Sequence, residues 1–389
     1  MSSHSIRFAA YYGAFYFTLG AFLPYFPIWL EGRSLTPEWI GWISAAGLVG
    51  RTLISPLAAR WADKSARRRD PVLIMAIAAV FLFALHAPTT SPWVLAGLSF
   101  LAGASFYGQI PLIDAFTMRE DQNGLLVFGK VRAIGSALFI VSNFAAGALV
   151  SHAGSEVVLS WVIVGAMLVV ISARLLPEGV RLGHASQEHA SFLDLWKLVR
   201  GPFGLALLAS ALIQGAHGFY YVFSAVAWSA QGHSELVIGA LWASGVVIEI
   251  IFLWMSGHGM MARLKPPVLL ITGAVASVLR WGLLALSPPL WGLFLLQNLH
   301  ALTFAATYLG FLRYATHMLP ERYSATAQGI NSALSGGVVM VVVSAVSGYL
   351  FSRVGAAGFA AMIVPSIMGM ILALLLSRQS SFPNSEKMD

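Results

Sequence analysis

The chain has no cysteine and little charge: Asp, Glu, Lys and Arg make up 10% of its 389 residues. The first absence excludes a disulfide framework and thiol chemistry. The second excludes a water-soluble fold of this size, because soluble domains carry about 25% charged residues. Also missing are a glycine-rich phosphate loop, a cluster of residues at metal-ligand spacing, and a nucleophile with its base and orienting acid. An ATP-driven pump is therefore unsupported, no enzymatic activity is expected, and neither a cofactor nor a metal is implied. No cleavable leader is apparent. The first apolar segment, from about Arg7 to Leu30, is long and aromatic and lacks a small-residue cleavage site.

What the chain has is hydrophobicity, with 58% apolar residues. A spanning helix needs about 20 mostly apolar residues. Twelve such segments are predicted, near 7–30, 38–60, 71–88, 92–117, 128–151, 156–176, 203–229, 235–257, 267–286, 290–316, 324–352 and 355–377. One long polar connection, residues 178–200, divides them six and six. It carries Glu178, Arg181, His184, Glu188, His189, Lys197 and Arg200. The expected fold is an all-α membrane protein with twelve transmembrane helices in two pseudo-symmetric six-helix bundles. Residues 1–177 form the first bundle, 178–200 a cytoplasmic linker, and 201–389 the second bundle. Nineteen of the 23 Lys and Arg residues fall in the tails and in one set of loops, while the opposite loops hold only Arg33 and Arg353. The positive-inside rule then places both termini in the cytoplasm. The net charge of +7 reports this topology and is no sign of a nucleic-acid partner.

The chain also repeats itself. Ile238-Gly239 echoes Ile40-Gly41, Gly245 echoes Gly47, and Pro267-Val268-Leu269 echoes Pro71-Val72-Leu73. Ile330-Asn331-Ser332-Ala333-Leu334 echoes Ile134-Gly135-Ser136-Ala137-Leu138 at nearly the same offset. Where the first copy carries Arg51, the second carries Glu249. Parallel six-helix repeats are a transporter plan.

Local motifs carry a family resemblance. The loop Ala59-Arg60-Trp61-Ala62-Asp63-Lys64-Ser65-Ala66-Arg67-Arg68-Arg69 resembles the loop signature of the major facilitator superfamily. Asp63, Lys64, Arg67 and Arg68 fit it, and Ala59 and Ala66 stand where the pattern has glycine. Phe128-Gly129-Lys130-Val131-Arg132, Asp114 eighteen residues before Arg132, and Arg322-Tyr323-Ser324-Ala325-Thr326 resemble the lactose permease group. Phe22-Leu23-Pro24, Leu35-Thr36-Pro37-Glu38, Gly47-Leu48-Val49, Gln214-Gly215-Ala216-His217 and Arg280-Trp281-Gly282 resemble the 3-phenylpropionate-transporting branch of the superfamily. The similarity covers nearly the whole chain. It implies a monomeric secondary active transporter of the bacterial inner membrane, working by alternating access. The implied cargo is a small aromatic carboxylate, 3-phenylpropionate or a relative, taken up with protons. Three rival readings remain: a nucleoside or oligosaccharide symporter, a drug or metabolite exporter, and a membrane sensor that moves nothing.

Charges inside the predicted helices mark the candidate site. A charge at the bilayer centre costs about 3 kcal/mol or more, so such residues face a cavity or a partner. Arg51 lies roughly 20 Å along its helix at about 1.5 Å per residue. It is either a structural ion-pair member or a fixed cation for an anionic substrate, which a planar guanidinium grips with two bonds. Glu249, Arg280, His217 and His300 also fall near the middle of their helices. By resemblance, Glu249, Arg280 and His300 contribute to substrate binding and proton coupling. A permanent Glu249–Arg280 pair is the alternative, and each histidine is equally well read as a hydrogen-bonding strut. Thr303 stands where the lactose permease group has its main proton carboxylate. Tyr221 and Ser224 stand at two aspartate positions, and Gln297 at a lysine position. The buried ion pairs are thus lost together. Asp114 and Arg132 are read either as substrate contacts or as an intracellular gate pair. Asp63, Lys64, Arg67 and Arg68 are assigned to gating, alongside their effect on topology. Tyr11, Tyr12, Phe15, Tyr16, Phe17, Phe22, Tyr25 and Phe26 crowd the first helix, where an apolar wall suits a phenyl ring.

Overall fold

The computed structural model describes residues 2–179, 201–319 and 324–379, and no strand occurs among them. Backbone N–H and C=O groups in a lipid-facing chain must be satisfied within the segment, which the helix does unaided. The first elements are α1 (Ser3–Gly32), α2 (Pro37–Lys64), α3 (Arg69–His86), α4 (Pro92–Tyr107), α5 (Gln109–Gln122), α6 (Phe128–Ala153) and α7 (Val157–Leu175). Then come α8 (Pro202–Gly215), α9 (His217–Ala230), α10 (Glu235–Ser256), α11 (Gly259–Ala262), α12 (Pro266–Leu284) and α13 (Leu290–Asn298). A π-helical turn, Ala301–Ala306, leads into α14 (Thr307–Met318). The last stretch runs from α15 (Ser324–Ala333) through a second π turn (Leu334–Val339) into α16 (Met340–Val354). A 3-10 segment (Gly355–Met362) then precedes α17 (Ile363–Gln379).

Among the described residues, ten helical runs are long and apolar enough to cross a membrane. They follow the expected segments except in two places. Thr326–Gln379 is a single run of 54 residues where two spans are expected. At about 1.5 Å per residue it far exceeds the ~30 Å hydrocarbon core. Its Gly355, with φ +55, falls where the sequence divides it. The stretch from Leu290 to Met318 is helical in three pieces, none of span length alone. Large apolar side chains such as Phe81, Trp93, Trp254 and Leu286 are exposed, as lipid-facing residues are.

The helix breaks have local causes. The expected fourth span is interrupted at Gly108, between α4 and α5. Pro111 lacks the N–H that would reach the Tyr107 carbonyl, and its ring crowds that carbonyl. Between α8 and α9, the Gln214 carbonyl meets both the Ala216 N–H and, at 3.0 Å, His217 Nδ1.

The chain packs as two compact units. One comprises Met1–His184, Tyr221–Ala243 and Ser344–Ser352; the other comprises Ala185–Tyr220, Ser244–Val343 and Arg353–Asp389. The first has an aromatic core of Phe8, Tyr12, Phe15, Phe83, Phe106 and Phe116, in which Phe15 stacks on Phe106 at 4.3 Å. The second is built around Phe203, Leu207, Leu270, Phe311, Tyr314 and Leu376. At the C-terminal end of α1, Arg33 Nε and Nη2 donate to Glu156 at 2.7 and 2.9 Å. Those hydrogen bonds hold the Glu156 carboxyl below the usual carboxylate range.

Small residues set the helix spacing, as membrane packing requires. A Cβ on Gly103 of α4 would lie 2.7 Å from Gly47 Cα of α2. Within the first unit, a Cβ on Gly239 of α10 would lie 2.6 Å from both the Asn143 carbonyl and the Tyr25 hydroxyl. That hydroxyl donates to the carbonyls of Asn143 and Glu235 at 3.1 and 2.9 Å. Gly239→Val is expected to lower the melting temperature of the detergent-solubilised protein, at a cost of about 1–3 kcal/mol from overpacking. Gly97→Val, where nothing lies within 4 Å of the added Cβ, is expected to leave it nearly unchanged.

Candidate functional site

The sequence-predicted residues form one group in each unit. In the first unit, the close approach of α2 and α4 at Gly47 and Gly103 carries Arg51 over the face of Tyr107, one turn beyond Gly103. The guanidinium carbon sits 5.3 Å from the ring centroid. Among the described residues Arg51, which is half-buried, forms no ion pair. Gly135 of α6 opens room for Tyr16, since a Cβ there would meet the ring at 2.7 Å. Arg132, one turn earlier, donates to the Tyr16 hydroxyl and lies 4.1 Å over its ring. The charges of both Arg51 and Arg132 act on Tyr16.

Asp114 and Arg132 make no direct ion pair. Tyr12 stands between them: its hydroxyl donates to Asp114 Oδ1 at 2.6 Å, and its ring lies 5.7 Å from the Arg132 guanidinium. The same hydroxyl is 3.2 Å from Thr117 Oγ1. Sequence reasoning named both charged residues and missed the tyrosine that links them. The signal was the spacing of Tyr12 and Tyr16, one turn apart on the same face of α1.

In the second unit, α12 places Arg280 in full burial. Its Nη2 donates to Gln297 Oε1 at 2.7 Å, and its Nη1 to Thr303 Oγ1 at 3.1 Å and His300 Nδ1 at 3.0 Å. The guanidinium also lies 4.7 Å from the Tyr220 ring and 4.8 Å from the Trp281 ring. His217 Nε2 is 3.0 Å from Thr303 Oγ1. Gly245 of α10 lies against His300, with a built Cβ 3.5 Å from His300 Cβ. Glu249, one turn on, brings Oε2 to 3.4 Å from His300 Nε2. The half-buried carboxylate and Arg280 therefore meet the same imidazole from its two sides. The positions read as vacated ion pairs, Gln297 and Thr303, are the neutral acceptors that hold Arg280. Tyr221 packs on Trp242 at 5.9 Å in the first unit.

Of the gating residues, the side chain of Asp63 lies outside the described residues. Lys64 is exposed. Arg67 pairs with Glu178 at 3.2 Å, as Arg69 does at 3.5 Å. The Arg68 N–H donates to the Gly179 carbonyl at 3.3 Å. The loop is thus clasped by the segment leaving α7, a contact that no local pattern announces.

The family model described as "MFS_1 like family" matches residues 5–361. The chain belongs to the MFS_1 like family. It is a multi-pass membrane transporter of the major facilitator type, and its relatives are transporters, not enzymes. It is 30% identical over 364 residues to a probable 3-phenylpropionic acid transporter of Escherichia coli (strain K12), covering 93% of this chain and 95% of that one. A maltose permease of Geobacillus stearothermophilus is 25% identical, with 98% and 96% covered. Among solved structures, the nucleoside transporter NupG aligns with a TM-score of 0.77 at 16% identity, covering 98% of this chain and 100% of that chain.

In this family member the Thr303 hydroxyl is shared by a buried cation and a buried imidazole. Thr303→Val keeps the shape and removes that oxygen, so it is expected to cost about 1–3 kcal/mol, as for other buried hydrogen-bond partners left unsatisfied. Thr303→Ser should restore most of the loss in thermal unfolding of the purified protein.

Proposed function

We propose that this transporter takes up a small aromatic monocarboxylate together with protons, by alternating access of two six-helix halves divided at residues 178–200. The observation that carries the reading is the charge balance around Tyr16 and Tyr107. Among the described residues, two permanent cations, Arg51 and Arg132, stand with one carboxylate, Asp114, and Arg51 lies over an aromatic face without an ion pair. One negative charge completes the set. The carboxylate goes to Arg51, with two charge-assisted bonds, and the aromatic ring of the substrate goes among Tyr16, Tyr107 and Phe22. The name of the Escherichia coli relative supports an aromatic acid of the 3-phenylpropionate type.

Glu249 is the proposed proton carrier, because a half-buried carboxylate changes protonation as its surroundings open and close. Arg280 and His300 tune it. His217 and Gln297 belong to the same binding cluster, and Tyr221 is a further proposed contact. Asp63, Lys64, Arg67 and Arg68 are assigned to gating, with the Glu178 clasp as the contact to be broken. The proposed setting is the bacterial inner membrane, with twelve crossings, both termini cytoplasmic, and the chain acting as a monomer.

A second reading, uptake of a neutral nucleoside or oligosaccharide, draws on the hydrogen-bonding character of Gln297, Thr303, Tyr220 and His217. Reconstituted uptake separates the two. Arg51→Gln should raise KM for a labelled 3-phenylpropionate at least about tenfold, the loss of one charge-assisted bond, and hardly change KM for its neutral amide. Equal effects on both compounds remove Arg51 from the binding role. Glu249→Gln should abolish accumulation driven by a pH gradient while leaving substrate exchange measurable. Retained accumulation rules Glu249 out as the carrier.

A further inference from the structure

The hydrogen bonds of Arg280 determine the state of both buried imidazoles. A guanidinium only donates, and it does not lose its proton in a protein. Arg280 Nη1 lies 3.0 Å from His300 Nδ1 and 3.4 Å from His217 Nε2. The two hydrogens of Nη1 go to the nearer acceptors, His300 Nδ1 and Thr303 Oγ1, so His300 Nδ1 must present a lone pair. A hydrogen on His217 Nε2 would point at the same cationic nitrogen, so that ring position is bare and accepts from Thr303. The other nitrogen of His217, Nδ1, faces the Gln214 carbonyl at 3.0 Å, and a carbonyl only accepts. His217 is therefore neutral, with its proton on Nδ1. Thr303 fits this state, accepting from Arg280 at 3.1 Å and donating to His217 Nε2 at 3.0 Å. Its alternative acceptor, the His300 carbonyl, is farther away at 3.3 Å. The other nitrogen of His300, Nε2, faces Glu249 Oε2 at 3.4 Å, so it carries the proton and donates to the carboxylate.

We infer that Arg280 is a tautomer clamp: it fixes His217 and His300 as neutral rings of opposite tautomer, so that His300 is a positioning residue presenting an N–H to Glu249. This deepens the proton-coupled reading above and rests on it. The charged and titratable groups facing His300 are Arg280 from α12, Glu249 from α10, and His217 and Tyr220 from α9. Of these, Arg280 is fixed as a cation and the two imidazoles are fixed as neutral. A proton arriving in the cluster converts the Glu249 carboxylate to the acid, and the acid gives it up again on release. The carbonyl oxygen of the acid still accepts from His300 Nε2, so His300 keeps its own proton throughout. Protonating His300 instead would set a second cation against Arg280 and destroy the 3.0 Å bond to Nδ1.

Two independent measurements test the clamp. The first is solid-state NMR of the wild-type protein in lipid, with 15N-labelled histidine and arginine. His217 and His300 are identified by their coupling to the Arg280 guanidinium. Across about pH 5–8, where an ordinary imidazole titrates, each should keep one protonated and one bare nitrogen. The bare one should be Nε2 in His217 and Nδ1 in His300. Two protonated nitrogens in either ring within that range overturn the clamp. The second measurement is accumulation against exchange in proteoliposomes. The side chain in His300→Gln can accept from Arg280 through its oxygen and donate to Glu249 through its nitrogen, so accumulation should persist. His300→Leu should lower accumulation relative to exchange. A fall in the ratio of accumulation to exchange in both variants overturns the positioning role and makes His300 itself the carrier. Failure of the proton-carrier reading is separately visible as accumulation retained in Glu249→Gln, and it leaves the NMR result on the two tautomers standing.

Discussion

A guanidinium inside a low-dielectric interior cannot escape by shedding its proton, and the site chemistry follows from that constraint. A buried lysine or carboxylate can become neutral when its surroundings demand it; arginine cannot. Each buried arginine must therefore be surrounded by acceptors, by aromatic faces, or by an anion. Arg280 uses the first two: an amide oxygen, a hydroxyl, imidazole lone pairs, and the rings of Tyr220 and Trp281. Arg132 takes a tyrosine hydroxyl and two tyrosine rings. Arg51, half-buried, lies over the Tyr107 ring and forms no ion pair among the described residues. That ordering is why Arg51 is the cation proposed for binding. The better satisfied the guanidinium within the protein, the less an incoming anion gains by meeting it.

These surroundings depend on where the backbone comes close and where it breaks. Glycines at the α2–α4 and α1–α6 crossings bring Tyr107 and Tyr16 under their arginines. Gly245 does the same for His300 and, one turn later, for Glu249. The interruptions lie beside the same residues. Gly108 follows Tyr107, Ala216 precedes His217, and the turn after α13 contains His300. A π-helical turn immediately afterwards carries Thr303. Such local widening of a helix is common at functional sites because it re-aims side chains at little cost in backbone bonding. Here it lets His300 and Thr303 approach the same guanidinium nitrogen.

Much of this was legible in the sequence, because lipid makes polar residues conspicuous. Arg51, Glu249, Arg280, His217 and His300 stood out as ionisable side chains in apolar runs. The helical spans were visible for the same reason. The break at Gly108 lies three residues before Pro111. The partners were less visible. Tyr12, Tyr16 and Tyr107 sat in an aromatic-rich background where lipid-facing and site-facing rings look alike. The clasp of Glu178 on Arg67 and Arg69 joins residues more than a hundred positions apart, beyond the reach of any local pattern. The run from Thr326 to Gln379 shows a further limit: the sequence divides it at a glycine, while the helical backbone continues through π and 3-10 turns on either side.

The replacement of charged by neutral residues around Arg280 has a physical consequence. A carboxylate at position 303 would offset the charge of the arginine. Threonine and glutamine supply oxygen without charge. The positive charge then persists in the cluster, and the imidazoles must turn their lone pairs toward it. Carrying a proton on His300 would set a second cation directly against Arg280, whereas carrying it on Glu249 replaces an ion with a neutral acid beside an unchanged donor. In the proposed proton-coupled cycle the titrating role then falls to Glu249, the acidic group that reaches the ring from the opposite side.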